Sequence, residues 1–438
     1  MFKGKKSIVM SLAFLLLFLI IAGCNSSSNN ESSGSNTGSD TNSDEGSGSS
    51  SKSEEVVELT YWDADWNESI APEVIDEFEA ANPNIKVNVE FFSIDGMFDK
   101  YLISLRSGNG PDLVNIAADW TTPFAAVGGL LQLDDYIESD NVDLNDFWEG
   151  ALSTVKVNDG IYGLPYRSET HGLYYNADML EQSGITAPPE TWNDVLEAAK
   201  LMQENGNNGI ALVGDQSGNL SYQVINFIRS FGGSVLNEDN TKSLLHEPKA
   251  LEAAQYYVDL YKKHQVTPQS TMDNDNTDNR NLFSAGEAAM FFSGNYDIQP
   301  IKDSSPDLNF KTALFPHKEG EDKGVILGGW NIAATSFSEH PEAAWKFVNF
   351  IASAETSVKY SNTFSSRKSA LENPKYQDEL VKPFGEMLQH GKPLTPIPQM
   401  GQIRNIIFNR IQAAMVGDAT VEESMKAASE EIDALLQE

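Results

Sequence analysis

Residues 56–92 read VVELTYWDADWNESIAPEVIDEFEAANPNIKVNVEFF. Val56 to Tyr61 is β-branched and aromatic, which suits a pleated, buried strand. Ile70, Val74, Ile75 and Phe78 then share one stripe at helical spacing, and Asn82-Pro83 ends it. Ile85 to Phe91 alternates apolar with polar side chains, the period of a half-buried strand. This strand-helix-strand unit puts the fold in the α/β class, where a crossover helix joins parallel neighbours.

Further along, the turn Gly108-Asn109-Gly110-Pro111 leads into Asp112 to Ala117, a short apolar strand. It delivers Asp119 and Trp120 past its C-terminal end, the edge at which open parallel sheets hold ligands. Thr191 to Asp194 has capping-box spacing ahead of the stripe Trp192, Val195, Ala199, Met202. Thr420 to Glu423 repeats that spacing ahead of Val421, Met425, Ala428, Ile432 and Leu435. The 438 residues suggest two domains, and no solenoid repeat interrupts them.

The N-terminal side is of another kind. Lys3, Lys5 and Lys6 precede an apolar run from Ile8 to Ala22, shorter than a membrane span requires, as in a secretory signal. The run ends Ile21-Ala22-Gly23-Cys24, which resembles the bacterial lipobox, and Cys24 is the chain's one cysteine. Acylated there, the protein would be anchored to the outer face of the cell membrane without spanning it. Asn25 to Glu55 is Ser, Asn, Gly and acid with almost nothing to bury, a flexible linker with a reach of roughly 30 Å.

Composition excludes several activities. With 64 acidic against 30 basic residues and a net charge of -34, nucleic-acid binding is not expected. One cysteine cannot form an internal disulfide, and the six histidines lack metal-ligand spacing, so neither a metal nor a cofactor is expected. Asp273 to Asp278 fails the calcium-loop pattern, lacking Gly at its sixth position, and reads as an acidic loop. Walker A, GxGxxG and GxSxG motifs are absent, while the many carboxylates leave open a glycosidase-like pair.

Taken in order, the lipobox and linker, LTYWDADWNE, FEAANPNIKVNVEFF, GNGPDLVNIAADW, YGLPYRSETHGLYYNADML, FSAGEAAMFFSGNYDI, LGGWNIAATSFSEHPEAAWKFVNFI and the closing IPQM segment resemble the family 1 extracellular solute-binding proteins. Within that family they resemble the sugar-binding lipoproteins of ABC importers, relatives of maltose-binding protein. The resemblance implies an α/β, two-lobed periplasmic-binding-protein fold of type II, with discontinuous lobes and a hinged cleft. Residues 1–23 would be the signal peptide and 24–55 the lipidated Cys24 with its linker. Residues 56–165 plus 311–352 would form the N-terminal lobe, and 166–310 plus 353–438 the C-terminal lobe, with crossings near 162–168, 308–316 and 353–364. It further implies a non-enzymatic monomer that carries a carbohydrate to ABC permease subunits powered by an ATPase. Two alternatives stay open: a polysaccharide-cleaving lipoprotein using Asp63, Asp119 or Glu169, and the same fold holding a peptide, a polyamine or chelated iron.

A pyranose has apolar C–H faces and a hydroxyl rim, so its site needs flat rings with acids, amides or Arg at their edges. The resemblance places ligand residues at Trp62, Asp63, Trp66, Asp119, Trp120, Arg167, Glu169, Tyr222, Tyr296 and Trp330. Core packing is the rival role for Trp62, Tyr222 and Trp330, and pairing with Glu169 the rival for Arg167. Arg404 stands where the maltose-type pattern has a stacking Trp, which implies a ligand other than maltodextrin, or one rich in acceptors.

Overall fold

The computed structural model describes residues 56–215 and 219–437; the expected signal peptide, Cys24 and the linker lie outside them. Its main strands are β1 (Val57–Ala64), β2 (Ile85–Phe92), β3 (Leu113–Ala117), β4 (Leu164–Glu169), β5 (His171–Asn176), β6 (Asn208–Ala211), β7 (Ala288–Gly294), β8 (Phe310–Leu314), β9 (Val325–Ile326), β10 (Gly328–Ala334), β11 (Phe364–Ser365) and β12 (Gly391–Lys392). They form a six-stranded sheet in the order β11-β4-β10-β3-β1-β2 and a four-stranded sheet in the order β8-β5-β7-β6. β9 and β12 pair separately. Each large sheet has its own core, so the body has two lobes.

The deciding stretch folds as its pattern requires. β1 and β2 run parallel from Val57↔Ile85 to Ala64↔Phe92. Between them the helix Ala71–Ala81 starts with Pro72 in its first turn and buries Ala71, Val74, Ile75 and Phe78. It stops at Asn82, whose side-chain amide donates to the Phe78 carbonyl at 3.0 Å. Phe78 meets Phe347 edge-on at 5.1 Å, joining this helix to Pro341–Ile351. Both expected capping boxes form, at Thr191 and Thr420.

The chain changes lobe at places shifted from the expected ones. Tyr166 to Glu169 stays in β4 of the first sheet, so the first crossing is Thr170 rather than residue 165 or 166. Phe310–Leu314 pairs with β5 in the second sheet, so the boundary expected at 310 moves beyond Leu314, and the return is complete at β10. The helix Ala354–Tyr360 packs on the first lobe with Tyr360 in its core, and β11 pairs with β4 in the first sheet, so the third boundary follows Ser365 rather than residue 352. Arg367 fastens that crossing, donating to the Ala352 and Asp143 carbonyls at 2.9 and 3.0 Å and covering the Phe147 ring at 3.8 Å.

Asp63 is part of the core and not of a ligand surface. Its carboxylate accepts from the Ala64 N–H at 2.7 Å and from the Asn67 and Asn115 amides at 3.0 and 2.7 Å, and from the Tyr360 hydroxyl. Burial pushes its pKa up, and those hydrogen bonds pull in the opposite direction. Trp62, one residue earlier, points to the other face of the sheet, as strand alternation demands. There it packs against Phe92 and Tyr101, with the Lys100 ammonium 4.4 Å from its ring.

Asp63→Ala leaves those donors without an acceptor in a dry core, and the expected loss is about 3 kcal/mol of unfolding free energy, read by urea denaturation. Asp63→Asn, which keeps an acceptor oxygen, should lose less than half as much.

Candidate functional site

Where the strand ends of the two sheets meet, they line a half-open cavity of about 290 Å³. From the first lobe come Asp119 and Trp120, just past β3, Trp330 on β10, and Glu169 at the end of β4. From the second come His171 at the start of β5, Tyr222 and Asn226 on the helix Asn219–Ser230, Tyr296 after β7, and Arg404 on the helix Met400–Val416.

Seven of the residues singled out in the sequence thus share one crevice: Asp119, Trp120, Glu169, Tyr222, Tyr296, Trp330 and Arg404. The remaining four do not line it. Asp63 and Trp62 lie in the first lobe as described. Trp66 stands behind the wall, edge-on to Trp330 at 4.7 Å, and Trp330 in turn meets Trp120 at 5.6 Å. Arg167 is buried and donates to Glu169 Oε2 from Nη2 at 2.7 Å and from Nε at 3.2 Å, so it positions the lining carboxylate instead of lining the cavity.

Backbone geometry makes room for these rings. Gly329 has φ of +153°, and a Cβ there would sit 2.1 Å from the Arg167 carbonyl oxygen, so only glycine lets β10 approach β4 ahead of Trp330. At Gly294 a Cβ would strike the Tyr296 ring at 2.3 Å, which is why this turn can fold its aromatic back over the strand end.

Both carboxylates of the cavity are half-occupied by cations. Glu169 Oε2 takes both Arg167 bonds, while Asp119 Oδ2 accepts from the Tyr222 hydroxyl at 3.3 Å and from Arg404 at 3.4 Å. The Arg404 guanidinium also lies over the Tyr222 ring at 3.9 Å. Each carboxylate keeps its other oxygen, Glu169 Oε1 and Asp119 Oδ1, to accept from a ligand hydroxyl. Burial raises the hydroxyl pKa values of Tyr222 and Tyr296, so both remain protonated donors.

A relay missed in the sequence orients Tyr296. The Ile326 N–H donates to Asn226 Oδ1 at 2.6 Å, which fixes the amide and turns its nitrogen toward His171 Nδ1 at 3.3 Å. Since that nitrogen only donates, Nδ1 must accept, and the ring proton resides on Nε2, 3.3 Å from the Tyr296 oxygen. Tyr296 therefore accepts from His171 and keeps its own proton to donate. Burial lowers the His171 pKa to about 4, partly opposed by Glu169, so the ring is neutral near pH 7.

Two further parts were not foreseen. Arg229 donates to the carbonyls of Val325 at 3.3 Å and Pro393 at 2.8 Å, and to that of Lys392, clamping the strap whose Pro393 and Leu394 form one wall. Burial lowers its pKa to about 10. The stretch read as an acidic loop is instead a 3-10 turn, Gln269–Asp273, and the start of the helix Asn276–Ser284, capped by Asp275, whose Asn276 lines the cavity. Among the described residues no group of three or more His, Cys, Asp or Glu could hold a metal.

The model of the bacterial extracellular solute-binding proteins matches residues 63–357. A binding protein of Brucella abortus is 27% identical over 370 residues, 83% of this chain and 89% of its own. A crystal structure of an ABC transporter solute-binding protein from Thermotoga lettingae, bound with α-D-tagatose, is 28% identical with a TM-score of 0.78, covering 87% of this chain and 100% of that one. The maltose-bound MalE3 of T. maritima is 25% identical with a TM-score of 0.75 and covers the same shares.

His171 generates a pH dependence with a definite sign. Between about pH 6.5 and about pH 4 the unfolded chain carries a proton that the folded one lacks, so this group's stability is full above that window and falls as pH drops through it. His171→Gln should flatten this part of the profile, read as the wild-type minus variant difference in calorimetric Tm from pH 7.5 to 4.

Proposed function

The chain belongs to the bacterial extracellular solute-binding protein family, and from that premise we propose that it captures a mono- or oligosaccharide outside the cytoplasmic membrane and releases it, chemically unaltered, to an ABC permease. Cys24 would hold it to the membrane through its acyl chains, with the Ser/Asn/Gly segment as tether. The observation that carries the reading is the convergence of rings from both lobes, with the half-occupied carboxylates of the first, on one cavity. Trp120, Trp330 and Tyr296 supply flat apolar faces, and Glu169, Asp119, Asn226 and Asn276 supply the polar edge that a pyranose or polyol rim requires. The two complexes with tagatose and maltose support a sugar as the ligand class.

Charge argues in the same direction. Asp119 is offset by Arg404 and Glu169 by Arg167, so among the described residues the cavity carries neither the excess negative charge that would draw a polyamine nor a ligand cluster that would take a metal. A ligand bridging both walls favours the closed form only to the extent that it binds this form more tightly, and closure is what a permease can sense.

A melting-temperature screen of neutral sugars, peptides, polyamines and ferric chelates tests the proposal, because a ligand of the folded state raises Tm by mass action. A sugar should give the largest shift and be recovered intact, and Glu169→Ala should weaken it by about 10- to 100-fold, the worth of a charge-assisted hydrogen bond. A peptide or chelate that outperforms every sugar, or shortened products after incubation, would falsify it.

A further inference from the structure

The Tyr222 ring is one of the flat surfaces expected to carry sugar, yet the Arg404 guanidinium lies over it at 3.9 Å, a separation that leaves no room for another group on that face. Arg404 is anchored from both lobes: Asp119 of the first lobe accepts from Nη1, and Ser221, next to Tyr222, accepts from Nε at 3.4 Å. Asp119 also accepts from the Tyr222 hydroxyl, so ring, guanidinium and carboxylate close this end of the crevice as one unit. Near them the strap of Pro393 and Leu394, clamped by Arg229, adds a rigid wall. What remains is about 290 Å³, at the lower edge of the roughly 300–1,000 Å³ usual for small-molecule sites.

We infer that Arg404 is the specificity-determining residue of this cleft, capping Tyr222 so that the chain selects a neutral sugar or polyol of monosaccharide size and turns away chains of three or more units. The inference rests on the carbohydrate reading and narrows it. An anionic sugar is disfavoured because the positive charge is already matched by Asp119 and would have to give up that partner. Lys in this position would keep the charge but lose the planar cover, since an ammonium has no face to lay on a ring.

The test is calorimetric titration of the purified full chain with neutral hexoses, pentoses and their alditols, with di- and trisaccharides, and with hexuronates. In the wild type a neutral monosaccharide or alditol should bind at least tenfold more tightly than any trisaccharide. Arg404→Ala should narrow that ratio at least tenfold by uncovering Tyr222, and Arg404→Lys should narrow it partly, both with Tm values that report a folded protein. Arg404→Ala/Tyr222→Ala should not gain trisaccharide affinity, because the exposed platform is then missing. A wild type that prefers a trisaccharide or a hexuronate overturns the inference, as does an unchanged ratio in folded Arg404 variants, while the carbohydrate reading survives either result. Silence across the whole panel removes both.

Discussion

Thr170 is the only residue between the last strand residue of one sheet, Glu169, and the first of the other, His171. It is fully buried, and its hydroxyl donates to the Phe384 carbonyl at 2.8 Å. Because Glu169 and His171 both line the cavity, the polar floor of the site is built on the crossing itself and cannot drift relative to the lobes that meet there. The other lining groups are then brought in by elements that approach this point: β10 through Gly329, the turn after β7 through Gly294, and the two helices carrying Tyr222 and Arg404. The neighbouring hydroxyls Ser168 and Ser366, 2.8 Å apart, join the first crossing to the third.

The architecture was legible wherever local pattern and tertiary role agree. The β1-helix-β2 unit, the capping boxes at Thr191 and Thr420, and the cavity-facing edge after β3 follow from strand pattern and capping chemistry alone. Lobe boundaries were less so, because β8 and the helix Ala354–Tyr360 look like ordinary elements and only their partners, β5 and the first-lobe core, decide where they belong. For the site, alternation already implied that Trp62 and Asp63 cannot both face one ligand. Which of them faces the core, however, depends on Tyr360 arriving from nearly 300 residues away. His171 and Asn226 carried no motif. A polar residue set among Val224, Ile225, Phe227 and Ile228 was the one local trace of Asn226, and its meaning required the Ile326 N–H to fix the amide.

The arrangement of supports follows one electrostatic rule. A charged or polar group facing a partly dry cavity must be oriented before the ligand arrives, or the cost of ordering it is subtracted from affinity. Glu169 is held by two bonds from one guanidinium, Asp119 by a phenol and a second guanidinium, and Tyr296 by an imidazole that is itself held by an amide. In each case the support uses part of the hydrogen-bonding capacity and leaves the rest available. Arg167 therefore matters to the site although it lies behind it, and its own wall contact, 5.9 Å from the Trp66 ring, ties that support to the aromatic stack of Trp66, Trp330 and Trp120.

The contacts that already span the cleft do not make closure independent of ligand. The Asp119 bonds to Tyr222 and Arg404 are 3.3 and 3.4 Å long, at the weak end of the hydrogen-bond range, and the ion pair keeps some exposure on both sides. Pairs of that kind contribute on the order of 1 kcal/mol or less, and less again at high salt. Moving a two-state equilibrium from almost fully open to almost fully closed takes about 5.5 kcal/mol. The difference has to come from a molecule that touches both walls at once, which the free oxygens of Glu169 and Asp119, the Tyr296 side chain and the aromatic faces are placed to engage. The latch thus defines one end of the cavity and pre-aligns the lobes, while the ligand decides whether they stay together.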